Sequence, residues 1–205
     1  NMCTGAHIRL LAKINFLEKT REMRMKELLE KIKEKESGTL TMSEKKWFNG
    51  HAYLPLYLYH LTFGYKTQTV DLKYEFRQNE FSKPSAIGGG AFSDRHLCHI
   101  KCSFDSSLPD FSIDSRTLLS RLLNKNPKVN FRVKCKDTVL QKSLSINTPL
   151  SNIFKIVEES AEFSPLIVGK LIKNSHYQIN IDYNTQIEKQ DVIVEFLDFL
   201  KSIIK

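Results

Sequence analysis

The chain has 205 residues, 41% of them hydrophobic, with a formal net charge of +8 at pH 7. That length and apolar content support one or two domains with a proper core and exclude a wholly disordered chain. No apolar run reaches the roughly 18 residues of a membrane helix, so no spanning segment is expected.

In chain order, the first predicted element is a long helix over residues 6–36. This stretch lacks Pro and Gly and is dense in Leu, Met, Glu, Lys and Arg, all good helix formers. Ile8, Leu11, Ile14 and Leu17, then Met25, Leu28, Leu29 and Ile32, trace a stripe with helical spacing. The pattern slips around residues 20–24, so it is not a clean heptad series. Two roles fit the stripe. It lies on its own domain's sheet, or it pairs with a partner or a second copy through Leu28 and Ile32. Ser37-Gly38 ends the helix.

Residues 38–127 read as a β-rich α+β domain. Residues 56–63 and 69–76, rich in aromatic and β-branched residues, flank Gly64 to Gln68 and predict a hairpin with a five-residue loop. Residues 96–104 predict a third strand. Residues 79–94, holding Pro84 and Gly88-Gly89-Gly90, predict a long loop. Asp114-Ser115 is placed as the cap of a short helix through Leu118, Leu119, Leu122 and Leu123, and the domain boundary is expected at 125–128.

The remaining residues, 128–205, open on Val129 to Cys135, which alternates apolar and polar as a half-buried strand does. Val139 to Ile146 is read as a returning strand. Asn147 or Thr148 supplies a helix cap and Pro149 suits the first helical turn. Ile153, Phe154, Ile156, Val157 and Ala161 build an apolar stripe that Pro165 closes at about Phe163. Leu166-Ile167-Val168-Gly169 follows as a strand. Residues 192–204 fit helical spacing at least as well as a strand, and Ser164 to Lys173 is ambiguous in the same way.

On the strings KVNFRVKC, LSINTPLSNIFKIVEESAEF, LIVGK and DYNTQIEKQDVIVEF, this third of the chain resembles the ubiquitin-like family, ubiquitin and the ubiquitin-fold modifier. The resemblance implies a β-grasp, a five-stranded sheet wrapped on one helix and used as a recognition surface. By position its docking strand would be Leu166 to Lys170, with Ile167 as anchor and Leu166, Val168 and Lys170 beside it. The sequence runs out at Ile203-Ile204-Lys205 without paired glycines, so the expectation is a module that binds and is not conjugated.

Catalytic and metal constellations are weak. His96, Cys98, His99 and Cys102 are the one cluster of metal-ligand types, but on a strand His99 points away from the other three, so four ligands do not converge locally. The triple glycine lacks the Lys-Ser/Thr of a phosphate loop. No metal or cofactor is expected. The excess charge is dispersed, +4 in residues 1–46, +2 in 47–127 and +2 in 128–205. Phosphate binding needs cations converging on one face, so nucleic acid is not an expected partner; Lys26, Lys31, Lys33 and Lys35 would be its place if it were. Cys3, Cys98, Cys102 and Cys135 have no disulfide-framework spacing, and charges recur from Arg9 onward where a signal peptide would be apolar. An intracellular location, cytoplasmic or nuclear, is the expectation.

The sequence thus predicts an α+β protein in three parts: a helix over 1–37, a β-rich domain over 38–127 and a ubiquitin-like domain over 128–205. Its expected role is a non-catalytic protein–protein interaction module, an adaptor or subunit of a larger complex. The rival is an enzyme or ligand-sensing domain with a pocket between the halves near Gly88–Gly90 and His96/His99.

Overall fold

Period-two burial through residues 59–63, 70–76, 96–102, 111–113, 131–133, 165–169 and 177–185 decides the architecture. The computed structural model describes residues 24–82, 91–115, 131–159, 163–173, 175–185 and 190–204. Its strands are β1 Thr39–Phe48, β2 Tyr53–Tyr65, β3 Gln68–Ser82, β4 Ala91–Asp105, β5 Phe111–Ser115, β6 Phe131–Cys135, β7 Leu166–Lys173 and β8 His176–Thr185. They form one eight-stranded sheet in the order β1-β2-β3-β4-β8-β7-β5-β6, antiparallel at every junction. The helices are α1 (24–36), α2 Thr138–Ser145, α3 Thr148–Glu159 and α4 Gln190–Ile203.

One sheet face carries the core. Leu61, Leu72, Ile100 and Ile181 are fully buried and lie in register across β2, β3, β4 and β8, and Ile167 and Ile113 continue the row through β7 and β5. Met25, Leu29 and Ile32 of α1, Leu144 of α2, Ile153 and Phe154 of α3, and Phe196 and Leu200 of α4 belong to the same buried cluster. Burying side chains of this size stabilises by about 1.5–3 kcal/mol each before the entropy of ordering them is subtracted. The described part of the predicted stripe, Met25, Leu29 and Ile32, therefore covers its own sheet. Ile32 is buried and Leu28 half-buried against the core, which leaves neither as a free partner-pairing residue. Residues 6–23 of that predicted helix lie outside the described residues.

The ends of α1 and α4 are tied together near the β2–β3 hairpin. Lys201 Nζ of α4 donates to Glu36 Oε1 of α1 at 2.6 Å and sits 5.2 Å from the Tyr65 ring centroid. Lys66 Nζ donates to the carbonyl of Ile204 at 3.2 Å.

The expected fold class is overturned. No five-stranded β-grasp on a single helix forms; the described residues after 130 supply three strands and three helices to a larger sheet. The predicted boundary at 125–128 is outside the described residues, but the sheet spans it: β5 lies between β7 and β6. Asp114-Ser115, expected to cap a helix, instead ends β5, where Ile113 and Phe111 alternate inward.

Val139–Ile146 is a helix, not a returning strand. Asp137 caps it, its side chain accepting the Leu140 N–H at 2.7 Å. The helix buries Leu144 and packs Leu140 partly against the core, while Val139 and Ile146 stay exposed. Asn147 caps α3 through the Leu150 N–H at 3.1 Å, as its place before Thr148-Pro149 predicts. Of the two readings of residues 192–204 the helix holds: Val192, Ile193, Phe196, Phe199 and Leu200 are buried on one face of α4.

The β2–β3 hairpin is tighter than expected. Gly64 pairs with Thr69 and Tyr65 with Gln68, leaving Lys66-Thr67 as the turn, with Lys66 in the left-handed region at φ 55°. The predicted loop over 79–94 is partly strand: β3 continues past a bulge between Arg77 and Glu80. Gly88–Gly90 lie outside the described residues. No described helix is long and apolar enough to cross a membrane.

Candidate functional site

The sheet face opposite the helices is covered by no described element. Strand alternation sends the other parity of each strand to it, and the register fixes which side chains meet. His60, Lys73, His99, Asp182 and Leu166 form one row across β2, β3, β4, β8 and β7. Leu58, Glu75, Leu97 and Asn184 form the next. Thr62, Asp71, Lys101, Asn180 and Val168 form the row on the other side.

Two imidazole–carboxylate pairs bracket Lys73. The Nε2–H of His60 donates to Asp71 Oδ2 at 2.6 Å, and Thr62 Oγ1 lies 3.2 Å from the same nitrogen. The Nδ1–H of His99 donates to Asp182 Oδ1 at 2.6 Å, across 83 residues of sequence. Each carboxylate fixes which ring nitrogen carries the proton and how the ring is turned. Lys73 Nζ is 3.9 Å from Asp71 Oδ1, and Arg77 Nε donates to Glu75 Oε1. A depression of about 600 Å3 is lined by Lys73, Glu75, Leu97, His99, Leu166 and Asp182. A second, of about 350 Å3, lies beside it at Ser43, Leu58 and His60.

A larger hollow, about 860 Å3, sits at the β6 edge by Phe131, Cys135 and Gln141. Two of its three lining cations are committed to Asp114: Arg132 grips it with two hydrogen bonds of 3.1 Å and Lys134 adds a third at 3.0 Å. Partial burial would raise the Asp114 carboxyl, but the hydrogen bonds from Arg132 and Lys134 outweigh it and hold the group below the usual carboxylate range. The open-face depressions, bordered by charges that face solvent, are the better candidate.

The predicted docking strand is only half on the surface. Leu166 (45% exposed), Val168 and Lys170 lie on the open face, but Ile167 is fully buried in the core. Nor is β7 an edge; β5 and β8 pair both its sides. His96 and His99 face opposite ways. His96 is buried, 2.6 Å from the Tyr74 hydroxyl and stacked on Phe76, so the rival pocket's two histidines share no cavity. Sequence reasoning singled out His99, but not its pairing with Asp182 or that of His60 with Asp71. Parity alone places His60 and His99 opposite the core residues of their strands; their partners depend on register.

No family model, curated protein or solved structure matches this chain. Among the described residues no group of three or more His, Cys, Asp or Glu could hold a metal ion. No serine or cysteine among them is hydrogen-bonded to the imidazole of His60 or His99, so no described residue completes an acyl-transfer triad with either pair.

The thiols under the sheet are not reactive centres. Burial pushes Cys98 up to about 12, against a hydrogen bond with Tyr183 that lowers it, and burial pushes Cys102 up to about 11. The thiolate is the reacting species, so both should resist alkylation in the native protein at pH 8, whereas half-buried Cys135 should be modified. In denaturant all three should react. Peptide mass spectrometry after a timed iodoacetamide pulse reads this directly; rapid native labelling of Cys98 would contradict the buried face.

Proposed function

We propose that the chain is a non-catalytic recognition module that docks a partner protein on its open sheet face. The supporting observation is the anatomy of that face. Half-buried Leu58, Leu97 and Val168 and exposed Leu166 sit beside charged groups already oriented by their neighbours, His60–Asp71, Lys73 and His99–Asp182. Apolar contacts within a polar, hydrogen-bonding surround are the composition of a transient protein interface. Rigid strands hold the side chains in place, so little ordering entropy is lost on docking. Across β3, β4, β7 and β8 the open face carries Lys73, Arg77, Arg95, Lys101 and Lys170 against Asp71, Glu75, Asp105 and Asp182, which favours an acidic partner surface. Such a complex weakens as salt rises.

The test is quantitative affinity capture with wild type, Leu97→Asp, Leu166→Asp, and Lys155→Glu on the exposed side of α3. The expected result is that the same partner is retained by wild type and the α3 variant and depleted at least tenfold by both open-face variants, about 1.4 kcal/mol or more of binding. Equal recovery by all four would remove the open face from recognition. A rise in melting temperature with a small polar ligand, lost in His99→Ala, would point instead to the depression as a ligand site.

A further inference from the structure

The two ends of the sheet are treated differently. At one end β6 has five residues and is closed off: Gln141 Nε2 of α2 donates to the Val133 carbonyl at 3.0 Å. At the other end β1 runs ten residues, paired in unbroken register with β2, and no other described strand pairs with it. A straight edge of that length offers a row of backbone donors and acceptors to another strand.

The side chains of β1 say which strand. Glu44, Lys45 and Lys46 are exposed, and none has an ion pair among the described residues. Met42 is 45% and Phe48 55% exposed, with Tyr53 (73%) against Phe48 at 5.2 Å between ring centroids. Antiparallel pairing of β1 with its own copy about a two-fold axis requires opposed residues to share a face, so their numbers must have the same parity. Placing the axis at Lys45 sets Glu44 opposite Lys46 twice and Met42 opposite Phe48 twice. Moving the axis to Glu44 opposes Glu44 to itself and Met42 to Lys46. Moving it to Lys46 opposes Lys46 to itself and Glu44 to Phe48. The axis at Lys45 is the register that pairs the unlike charges and the exposed apolar side chains together. It also sets Lys45 against Lys45, but these lie on the open face, where long stems let the ammonium groups spread into water.

We propose that two copies of this chain associate through β1, antiparallel, with the two-fold axis at Lys45. The result is one doubled sheet with both open faces on the same side. The proposal does not rest on what the open face binds.

Sedimentation velocity over a concentration series tests it. Wild type should show a monomer–dimer equilibrium that weakens with salt. Glu44→Lys should raise the dissociation constant about tenfold or more, since it opposes like charges at two sites. The double swap Glu44→Lys with Lys46→Glu should restore the dimer, because the unlike pairs are re-formed with signs reversed. A wild type that stays monomeric, a dimer indifferent to Glu44→Lys, or a double swap that fails to rescue would each overturn the proposal. A second reading is independent of the charge variants. Lys45→Cys, opposite itself, should form an intermolecular disulfide under mild oxidation beyond any formed by wild type, and Met42→Cys should not. The reverse yield would overturn the register. Capture of β1 by a different protein with no self-association would likewise reject the second copy as occupant.

Discussion

Replacing Phe196 with alanine is expected to lower the unfolding free energy by about 3–5 kcal/mol, the range for emptying a large aromatic site in a close-packed core. Phe196 is fully buried on the sheet side of α4. Its ring stacks on Tyr183 of β8 with centroids 5.6 Å apart, and Tyr183 meets Phe163 edge-on at 5.3 Å. The three rings join α4, the central strand β8 and the segment leading into β7. Truncation therefore removes contacts from several elements at once. The helix cannot easily slide to fill the void, because Asn152 Nδ2 donates to Glu195 Oε1 at 3.0 Å and Lys201 is bonded to Glu36. Urea unfolding followed by circular dichroism measures the effect as a lower midpoint at unchanged slope. A loss under about 1 kcal/mol would be incompatible with a packed α4.

Gly169→Val should be comparably damaging for the opposite reason, excess volume. Gly169 faces the core from β7, and a Cβ built there would sit 2.5 Å from the Tyr177 hydroxyl oxygen and 2.7 Å from Phe111 Cζ. Neither ring has room to yield. Tyr177 is fully buried and its hydroxyl donates to the Pro109 carbonyl at 2.9 Å, while Phe111 is pinned in β5 between β7 and β6. Overpacking of this kind costs about 1–3 kcal/mol, and valine's two extra methyls place it at or beyond the upper end, with alanine lower. Thermal unfolding of both variants provides the check; an unchanged melting temperature for Gly169→Ala would mean that the rings do not lie over this position. The glycine is needed here for close approach of two aromatic side chains, not for an unusual backbone angle.

What could be read in advance was what neighbouring residues settle among themselves. Aromatic and β-branched residues in 56–63 and 69–76 marked β2 and β3, and residues 96–104 read as the strand that is β4. Asn147-Thr148-Pro149 marked the start of α3, and the stripe ending at Ile32 marked a helix that buries one face. Each rests on contacts within a turn or two of chain. Residues 139–146 failed that treatment because eight residues with apolar side chains at 139, 140, 144 and 146 satisfy both periods; the Asp137 cap and the core beneath Leu144 tipped them to helix.

Strand order lay further out of reach. That β5 pairs with β7, or that β4 lies beside β8, depends on pairing between residues 52–89 apart, and no local period carries that information. The same register brings His99 to Asp182 and lines up Lys73 between two histidines, so the candidate site exists only once the sheet has assembled. It also turns Ile167 inward and leaves Leu166 outward, a one-residue distinction that period-two geometry makes absolute but that only the packed helices on one face decide. From the amino-acid order alone follow the helices and strands with clear periods, the absence of a local metal motif, and the dispersed charge. Which face is covered, which edge is left open and which side chains meet across the sheet were decided by long-range pairing, because burial acts on surfaces that come together only in three dimensions.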